Sequence, residues 1–323
     1  MIGPFPKPPF PFVAQPRLLF PKPRRLPERK RVTIAAGFPC KAGLVLCADT
    51  QETISGYVKT DTDKIRILSS QQYNIVFTGA GDSDLIETTI DEMANAIHTE
   101  KPEGITRIAF ALKSAALRVF EESIKPYATF PADDRPSVTL LIGIQTARAT
   151  ALYKARGTSF RLLQAAECIG YGLALGKSLT EQLFNQDMSL EHAGLVAVYV
   201  LHQAKRWVDG CGGKSDILLL SNDGTILRMS TEMVEHLEQH FDEFNSHLRP
   251  VLIACADREF DSKKFDEMMD DFDYQLRLLR GKFISSIFSL AGPHEEAFLS
   301  GFVPKKRKRQ VKPSTSQASE SGQ

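Results

Sequence analysis

Apolar positions along the chain switch between two periods, and the order of the switches predicts the architecture. Residues 32–38 and 43–48 are short β-type runs separated by Pro39-Cys-Lys-Ala-Gly43, which reads as a hairpin with a loop of a few residues. Residues 64–68 alternate and 73–78 are apolar and β-branched, so two more strands are expected. The period then lengthens. Leu85, Ile86, Ile90, Met93 and Ile97 recur at helical spacing over 83–98, and a second helix is expected over about 105–124. Strands resume at 137–144, 151–154, 159–162 and 166–170. Helices follow at 173–185 and 190–207, the second capped by Ser189 with Glu191 in its first turn, where an anion meets free N–H groups. Strands at 216–220 and 225–228, joined by the turn Ser221-Asn-Asp-Gly224, end the pattern. Strands and helix pairs in this order predict an α+β protein with two stacked sheets between two helix layers, a four-layer αββα sandwich over residues 32–229. Residues 230–303 add an extra C-terminal helical segment, rich in acidic side chains and read as a solvated appendage.

Composition narrows the classes. The 323 residues are 42% hydrophobic and 24% charged, with a formal net charge of +1. That figure conceals opposites: residues 1–32 carry a net of +7 and residues 304–323 a net of +5, which leaves the middle at −11. Nine of the eighteen prolines fall in the first 27 residues. Each fixes φ and removes a donor, so 1–31 reads as an extended basic arm, or as a propeptide if it is cut away. Residues 304–323 join a charge run to a Ser-rich stretch with nothing to bury, and read as a disordered tail. No apolar run approaches the roughly 20 residues of a membrane span, so no membrane partner is expected. Prolines interrupt the apolar segment that a signal peptide would use, and the five scattered cysteines lack metal-ligand spacing. Both features predict a cytoplasmic protein with reduced thiols.

No metal or cofactor is expected. His236 and His240 share a helical face but lack the Glu that the zinc-protease motif places after its first His. Gly79-Ala-Gly81 is not followed by the Lys-Ser/Thr of a phosphate loop. Pro304-Lys-Lys-Arg-Lys-Arg309 matches a nuclear-import pattern, and its cations could also contact nucleic-acid phosphates weakly and without sequence preference.

Several segments carry a family resemblance when taken in order. Thr33-Ile-Ala-Ala, Ala42-Gly-Leu-Val-Leu-Cys-Ala-Asp49-Thr-Gln, Thr62-Asp-Lys64-Ile and Phe77-Thr-Gly79-Ala-Gly-Asp-Ser-Asp84 come first. Cys168-Ile-Gly-Tyr-Gly172, Asp187-Met-Ser-Leu-Glu-His-Ala193 and Gly212-Gly-Lys-Ser-Asp-Ile-Leu-Leu-Leu-Ser-Asn-Asp-Gly224 follow. Together, over about residues 32–228, they resemble the N-terminal-nucleophile hydrolases of the 20S proteasome alpha/beta type. The resemblance implies a threonine-type peptidase or amidohydrolase. In such an enzyme a Thr hydroxyl attacks an amide carbonyl while the free α-amine of the same residue, usually with a water, accepts the proton. A lysine lowers the pKa of hydroxyl and amine, an aspartate orients that lysine, and backbone N–H groups at a glycine turn stabilise the oxyanion. Carried onto this chain, the resemblance implies Thr33 as nucleophile and terminal base, Asp49 and Lys64 as the electrostatic pair, and Gly79 in the oxyanion site. Asp209 matches a supporting aspartate, and the serine expected shortly after it is Gly212. The implied substrate is a peptide. The implied partners are copies of itself or related subunits in a ring-like homo- or hetero-oligomer.

Two readings stay open. The count from Asp49 back to Thr33 is the spacing of active members. Against it, Val32 stands where self-processing members have glycine, and Ile34 where active members often have a second Thr. The Asp49-to-Lys64 segment is one residue short, and Gly212 lacks the hydroxyl that helps hold the terminal amine. These departures fit a non-catalytic structural or interaction subunit in which Thr33 is a plain β-branched strand residue. Cys40, with no His near it in sequence, reads as a loop thiol rather than a nucleophile. Whether the chain is an enzyme therefore turns on whether Thr33 becomes an N-terminus.

Overall fold

The computed structural model describes residues 33–54, 58–131, 135–147 and 149–288. The arm over 1–31, with Val32, and residues 289–323, with the tail and its Pro304–Arg309 run, lie outside the described residues.

The first hairpin sets one edge of the architecture. β1 (Ile34–Cys40) and β2 (Gly43–Asp49) pair antiparallel, from Cys40 opposite Gly43 to Ala35 opposite Ala48. The turn is only Lys41 and Ala42, shorter than the expected loop, because β1 runs on through Pro39. The closing pair of a two-residue hairpin is hydrogen-bonded, so at the next pair, Pro39 with Leu44, the backbone donors point away from the partner strand. On that outer side β10 (Glu167–Gly170) reaches only to Gly37, and proline's missing N–H breaks no ladder bond. Gly43 holds φ at +153°, and a Cβ there would stand 2.1 Å from the Leu220 carbonyl oxygen, so only glycine fits the turn exit.

Two antiparallel five-stranded sheets make up the β structure. The first runs β10-β1-β2-β11-β12, with β11 at Ser215–Ser221 and β12 at Ile226–Arg228. The second runs β5 (Ile65–Ser69), β6 (Tyr73–Gly81), β7 (Val138–Thr146), β8 (Ala149–Arg156) and β9 (Ser159–Leu163). A separate hairpin, β3 (Gln51–Ile54) with β4 (Val58–Asp61), links them along the chain. It was not expected from the sequence, because its polar residues carry no apolar alternation.

Alternation along each central strand divides its side chains between two cores. In β2, Val45 and Cys47 pack with Ala197, Val198 and Leu201 of α4 (Leu190–Trp207), while Leu44, Leu46 and Ala48 pack with Val76, Leu141 and Leu152 of the second sheet. In that sheet Ile75, Phe77, Leu140 and Ile142 turn the other way, onto α1 (Ser83–Glu100) and α2 (Gly104–Val119). Both faces of β2 are covered, so residues 43–48 form an unbroken apolar run even though the sheet is antiparallel. The chain is thus α+β, with antiparallel sheets and helices packed through three apolar clusters. α2 stops at Val119, earlier than expected, and continues as a π turn at Phe120–Ile124 and a 3₁₀ turn at Lys125–Tyr127. Pro126 has no N–H to return to the preceding turn and cannot extend a regular helix. α4 begins as expected, with Ser189 Oγ accepting from the His192 N–H at 3.3 Å.

α3 (Leu173–Leu183) lies beside α4, and two longer helices complete the described chain, α5 (Thr231–Ala256) and α6 (Ser262–Phe288). The pair joins the main core. Val234 and Leu237 are 1% and 0% exposed in the cluster that α4 shares with the first sheet, and Ile287 of α6 enters the same cluster. Phe241 packs edge-on to Tyr199 of α4 and tilted against Phe283 of α6. Part of the acidic face is paired: Glu238 and Asp242 meet Lys205 and Arg206 of α4, and Glu243 meets Lys282 of α6. Among the described residues no helix is long and apolar enough to cross a membrane.

If α5 is integral to the core, Leu237→Ala should cost about 2–5 kcal/mol, the range for emptying a fully buried leucine site. Equilibrium urea denaturation of the full chain reads this as a lower midpoint at unchanged slope. A midpoint equal to wild type would show that α5 is not packed as described.

Candidate active site

The hairpin register brings Thr33 and Asp49 together. Asp49 is the last residue of β2 and Thr33 directly precedes β1, so continuing the pairing of Ala35 with Ala48 places Asp49 across from Ile34. The Thr33 hydroxyl donates to Asp49 Oδ1 at 2.5 Å, and the Ile34 N–H donates to the same oxygen at 3.1 Å. Lys64 arrives from the other sheet, immediately before β5. Its ammonium donates to Thr33 Oγ1 at 2.6 Å, to Asp49 Oδ1 at 2.9 Å and to the Gln51 carbonyl at 2.6 Å. The β3–β4 hairpin makes that delivery. The Thr62 N–H closes onto the Thr50 carbonyl at 2.9 Å, so the chain leaves the hairpin close to where it entered.

Asp49 is fully buried, and among the described residues its carboxylate accepts from Thr33, Ile34, Lys64 and Gly212. Its second oxygen, Oδ2, accepts from the Gly212 N–H at 3.0 Å, in the loop between α4 and β11. Thr33 is 7% exposed, and its carbonyl accepts from the N–H groups of Tyr171 and Gly172. A buried carboxylate with a lysine and three further donors is fully satisfied, and removing the lysine alone would cost about 3–5 kcal/mol.

Three of the four residues singled out from the sequence therefore meet. Gly79 takes no part in the hydrogen bonds of this cluster. It lies in β6 opposite Leu140, where a Cβ would come within 2.7 Å of the Leu140 side chain and press on Ile86. Packing is thus one sufficient reason for a glycine there. Asp209 is exposed and takes no part in the cluster either.

Gln51 was missed by sequence reasoning. It is 7% exposed, and its Nε2 donates to the Gly210 carbonyl at 2.7 Å. A Cβ on Gly212 would stand 2.4 Å from Gln51 Oε1. Gly212 is not among the glycines at positive φ, so its backbone would accept a side chain. What excludes one is the Gln51 carboxamide, which fills the space a serine would need. No sequence signal marks Gln51, because its role depends on a partner about 160 residues away.

The surrounding electrostatics are set by burial. Arg228 of β12 donates to Asp63, next to Lys64, and to Asp216, which pairs with Ala48 across the first sheet. Burial raises the Asp63 carboxyl, but the Arg228 and Ile65 hydrogen bonds and the guanidinium charge outweigh it and hold Asp63 below the usual range. Asp216 ends above its ordinary value through burial, against the same guanidinium. Cys211, which lies next to Gly212, is pushed up to about 12, first by burial and then by the Asp49 charge. Cys40 is pushed to about 12 by burial and Glu191. Neither thiol is poised as a nucleophile. Among the described residues no cluster of His, Cys, Asp and Glu could hold a metal ion.

Fold and cluster together define an α+β scaffold with a Thr–Asp–Lys constellation at the mouth of its first hairpin. No family model matches the sequence, and no curated protein matches it. Solved structures do. Anbu (ancestral beta-subunit) from Yersinia bercovieri is similar at a TM-score of 0.58 and 14% identity, over 68% of this chain and 97% of that one. Anbu from Hyphomicrobium sp. strain MC1 is similar at 0.57 and 17%, over 71% and 100%. A structure described as the helical assembly of the Anbu complex from Pseudomonas aeruginosa is similar at 0.54 and 15%, over 72% and 99%. At these identities the likeness is one of fold. It corrects the resemblance to the 20S alpha/beta type drawn from the motifs, since the Anbu proteins are proteasome-like but a family of their own. Apolar-Ala-Asp, Asp-Lys-Ile and Thr-Gly-Ala-Gly describe strand ends and turns, which such a scaffold needs whichever family carries it.

Two measurements check this geometry. Gly212→Ser should destabilise the chain by about 1–3 kcal/mol as it displaces the bonded Gln51 carboxamide. Adding Gln51→Ala should recover about 1–2 kcal/mol relative to additive costs, read by urea denaturation of the four proteins in a double-mutant cycle. Strict additivity would mean that Gln51 does not occupy the serine's space. With iodoacetamide at pH 8, peptide mapping should find the exposed Cys255 modified first, because a thiol at about 12 is only roughly one part in ten thousand thiolate there. Early labelling of Cys40 or Cys211 would contradict their burial.

Proposed function

We propose that this chain is a threonine-type amide hydrolase on an Anbu-like, four-layer αββα scaffold, with Thr33 as nucleophile after removal of residues 1–32. The observation that supports this best is the Thr33 hydroxyl itself, held between a buried carboxylate at 2.5 Å and an ammonium at 2.6 Å. In the uncut chain the Thr33 nitrogen is the amide that follows Val32, with no basic lone pair, so the site is dormant. Cleavage of the 32–33 bond supplies an amine on the same residue as the hydroxyl. That amine, through a water, takes the hydroxyl proton as Oγ1 attacks a peptide carbonyl. The Lys64 ammonium opposes the negative charge that grows on Oγ1, and Asp49 holds Lys64 in place. Gly79 is assigned to the oxyanion site. The leaving amine takes the proton back from the terminal ammonium, and a water deprotonated by the same amine hydrolyses the ester. Every group in this scheme comes from the chain or from water. The Pseudomonas neighbour is described as a helical assembly, and we assign this chain a partner of the same kind, namely copies of itself or related subunits.

A second reading is favoured by one feature. Gln51 stands where a serine hydroxyl would help hold the terminal amine, and Val32 replaces glycine at the junction; both suit a scaffold subunit that is never cut.

Intact-mass analysis of the protein from its native host decides between them. The hydrolase reading expects a chain beginning at Thr33 with a net charge of −6. It also expects Thr33→Ala to remain full length and to lose peptide hydrolysis by a factor on the order of a thousand or more. A full-length wild-type chain with no Thr33-dependent hydrolysis would establish the scaffold reading instead.

A further inference from the structure

The loop that clasps Asp49 is poor in conformational constraint. Residues 209–214 read Asp-Gly-Cys-Gly-Gly-Lys, with Gly210 at φ +89° and Gly213 at φ +69°. Three glycines in six residues leave a loop with much freedom to lose, yet its Gly212 N–H must meet Asp49 Oδ2 at 3.0 Å. One side is held by the β2–β3 junction: Thr50 and Lys214 exchange hydrogen bonds, and Gln51 reaches Gly210 and Gly212.

The other side is held by α5. Glu238 Oε1 accepts from Ser215 Oγ at 2.8 Å and from Lys205 Nζ at 2.7 Å. Ser215 is the residue that pairs directly with Asp49 across β11 and β2. Lys205 also reaches the Gly213 carbonyl, at 3.4 Å. The second oxygen of Glu238 faces His202 at 3.9 Å, and Asp242 one turn further on binds His202 and Arg206. Side chains of Glu238 and Lys205 are only 17% and 14% exposed. One carboxylate thus grips both the strand residue opposite Asp49 and, through Lys205, the loop that caps it. The helix that looks from sequence like an acidic surface segment supplies this grip.

We propose that Glu238 is a positioning residue for the candidate site, with α5 bracing loop 209–214 so that the Gly212 N–H orients Asp49 and, through it, Lys64 and Thr33. The proposal rests on the reading of that cluster as the reactive centre, but its first readout does not depend on catalysis. Hydrogen–deuterium exchange on the full chain should show the peptide covering 209–215 exchanging about tenfold faster in Glu238→Ala, the effect of losing charge-assisted hydrogen bonds, with both sheets unchanged. Glu238→Gln keeps an acceptor for Ser215 and Lys205 and should restore exchange to within about threefold of wild type. Ser215→Ala, which removes one hydroxyl, should loosen the same peptide less, by about threefold, and serves if Glu238→Ala folds poorly. Where the wild type hydrolyses peptide through Thr33, Glu238→Ala should lower kcat about tenfold with KM within about twofold. The proposal is overturned if loop exchange is unchanged in Glu238→Ala, if the increase spreads evenly over the molecule, if glutamine rescues no better than alanine, or if kcat of an active wild type does not move. A wild type without Thr33-dependent hydrolysis sinks the functional reading alone, since the exchange arms still decide whether α5 braces the loop.

Discussion

The Asp49 carboxylate is the constraint on which the rest of the site depends. It is completely buried, and a buried charge is tolerable only when it is paired and fully hydrogen-bonded. Its four partners come from three separate stretches: Thr33 and Ile34 at the start of β1, Lys64 ahead of the second sheet, and Gly212 in the loop after α4. None of the four can satisfy the carboxylate alone. The first hairpin, the β3–β4 excursion, the packing of the two sheets and the seating of α4 must all be in place before Asp49 is neutralised. Site and fold are therefore one cooperative unit, and the cluster has little freedom to form loosely.

How much of this is legible in the sequence depends on how local its cause is. The two hairpin strands, the cap at Ser189 and the alternation that divides β2 between two cores are short-range effects, and they read directly. The meeting of Thr33 with Asp49 is nearly as local, because a tight hairpin fixes which residues lie across from one another. Lys64 is harder. Its arrival depends on a polar hairpin with no apolar signature, so its spacing to Asp49 looks one residue short while its geometry is good. Gln51 and Glu238 are illegible for a different reason. Each acts on the same glycine-rich loop from a distant point in the chain, and nothing near either residue announces the partner. The acidic stretch after residue 230 has the composition of a solvated face, yet Val234 and Leu237 within it are among the most buried side chains. Charge content hid the apolar stripe.

Glycines carry two readings at once. Gly79 stands in a Thr-Gly-Ala-Gly run that suggests a chemical role, and a Cβ there would also force the Leu140 side chain to shift. Gly212 departs from the serine that the motif resemblance implies, and the Gln51 carboxamide lies against it and bonds to the same loop. In the first case packing is enough to explain the residue. In the second, the Gln51 carboxamide fills the space beside Gly212 that a side chain would need.

The Lys64–Asp49 pair bears on the choice between a hydrolase and a scaffold. A buried Lys–Asp pair is a poor device for stability, since apolar residues of the same volume do as well or better. A structural role for the Thr33 hydroxyl would need a single partner, whereas it meets both Asp49 and Lys64. The ammonium contributes most where negative charge develops on Thr33 Oγ1, which is what amide attack would produce. In the proposed mechanism the base is the Thr33 α-amine, and in the uncut chain that nitrogen is tied up in the bond to Val32. In the proposed hydrolase, this electrostatic setting around Thr33 without a base is the condition expected of a precursor, and control of the proposed chemistry would rest in a single peptide bond.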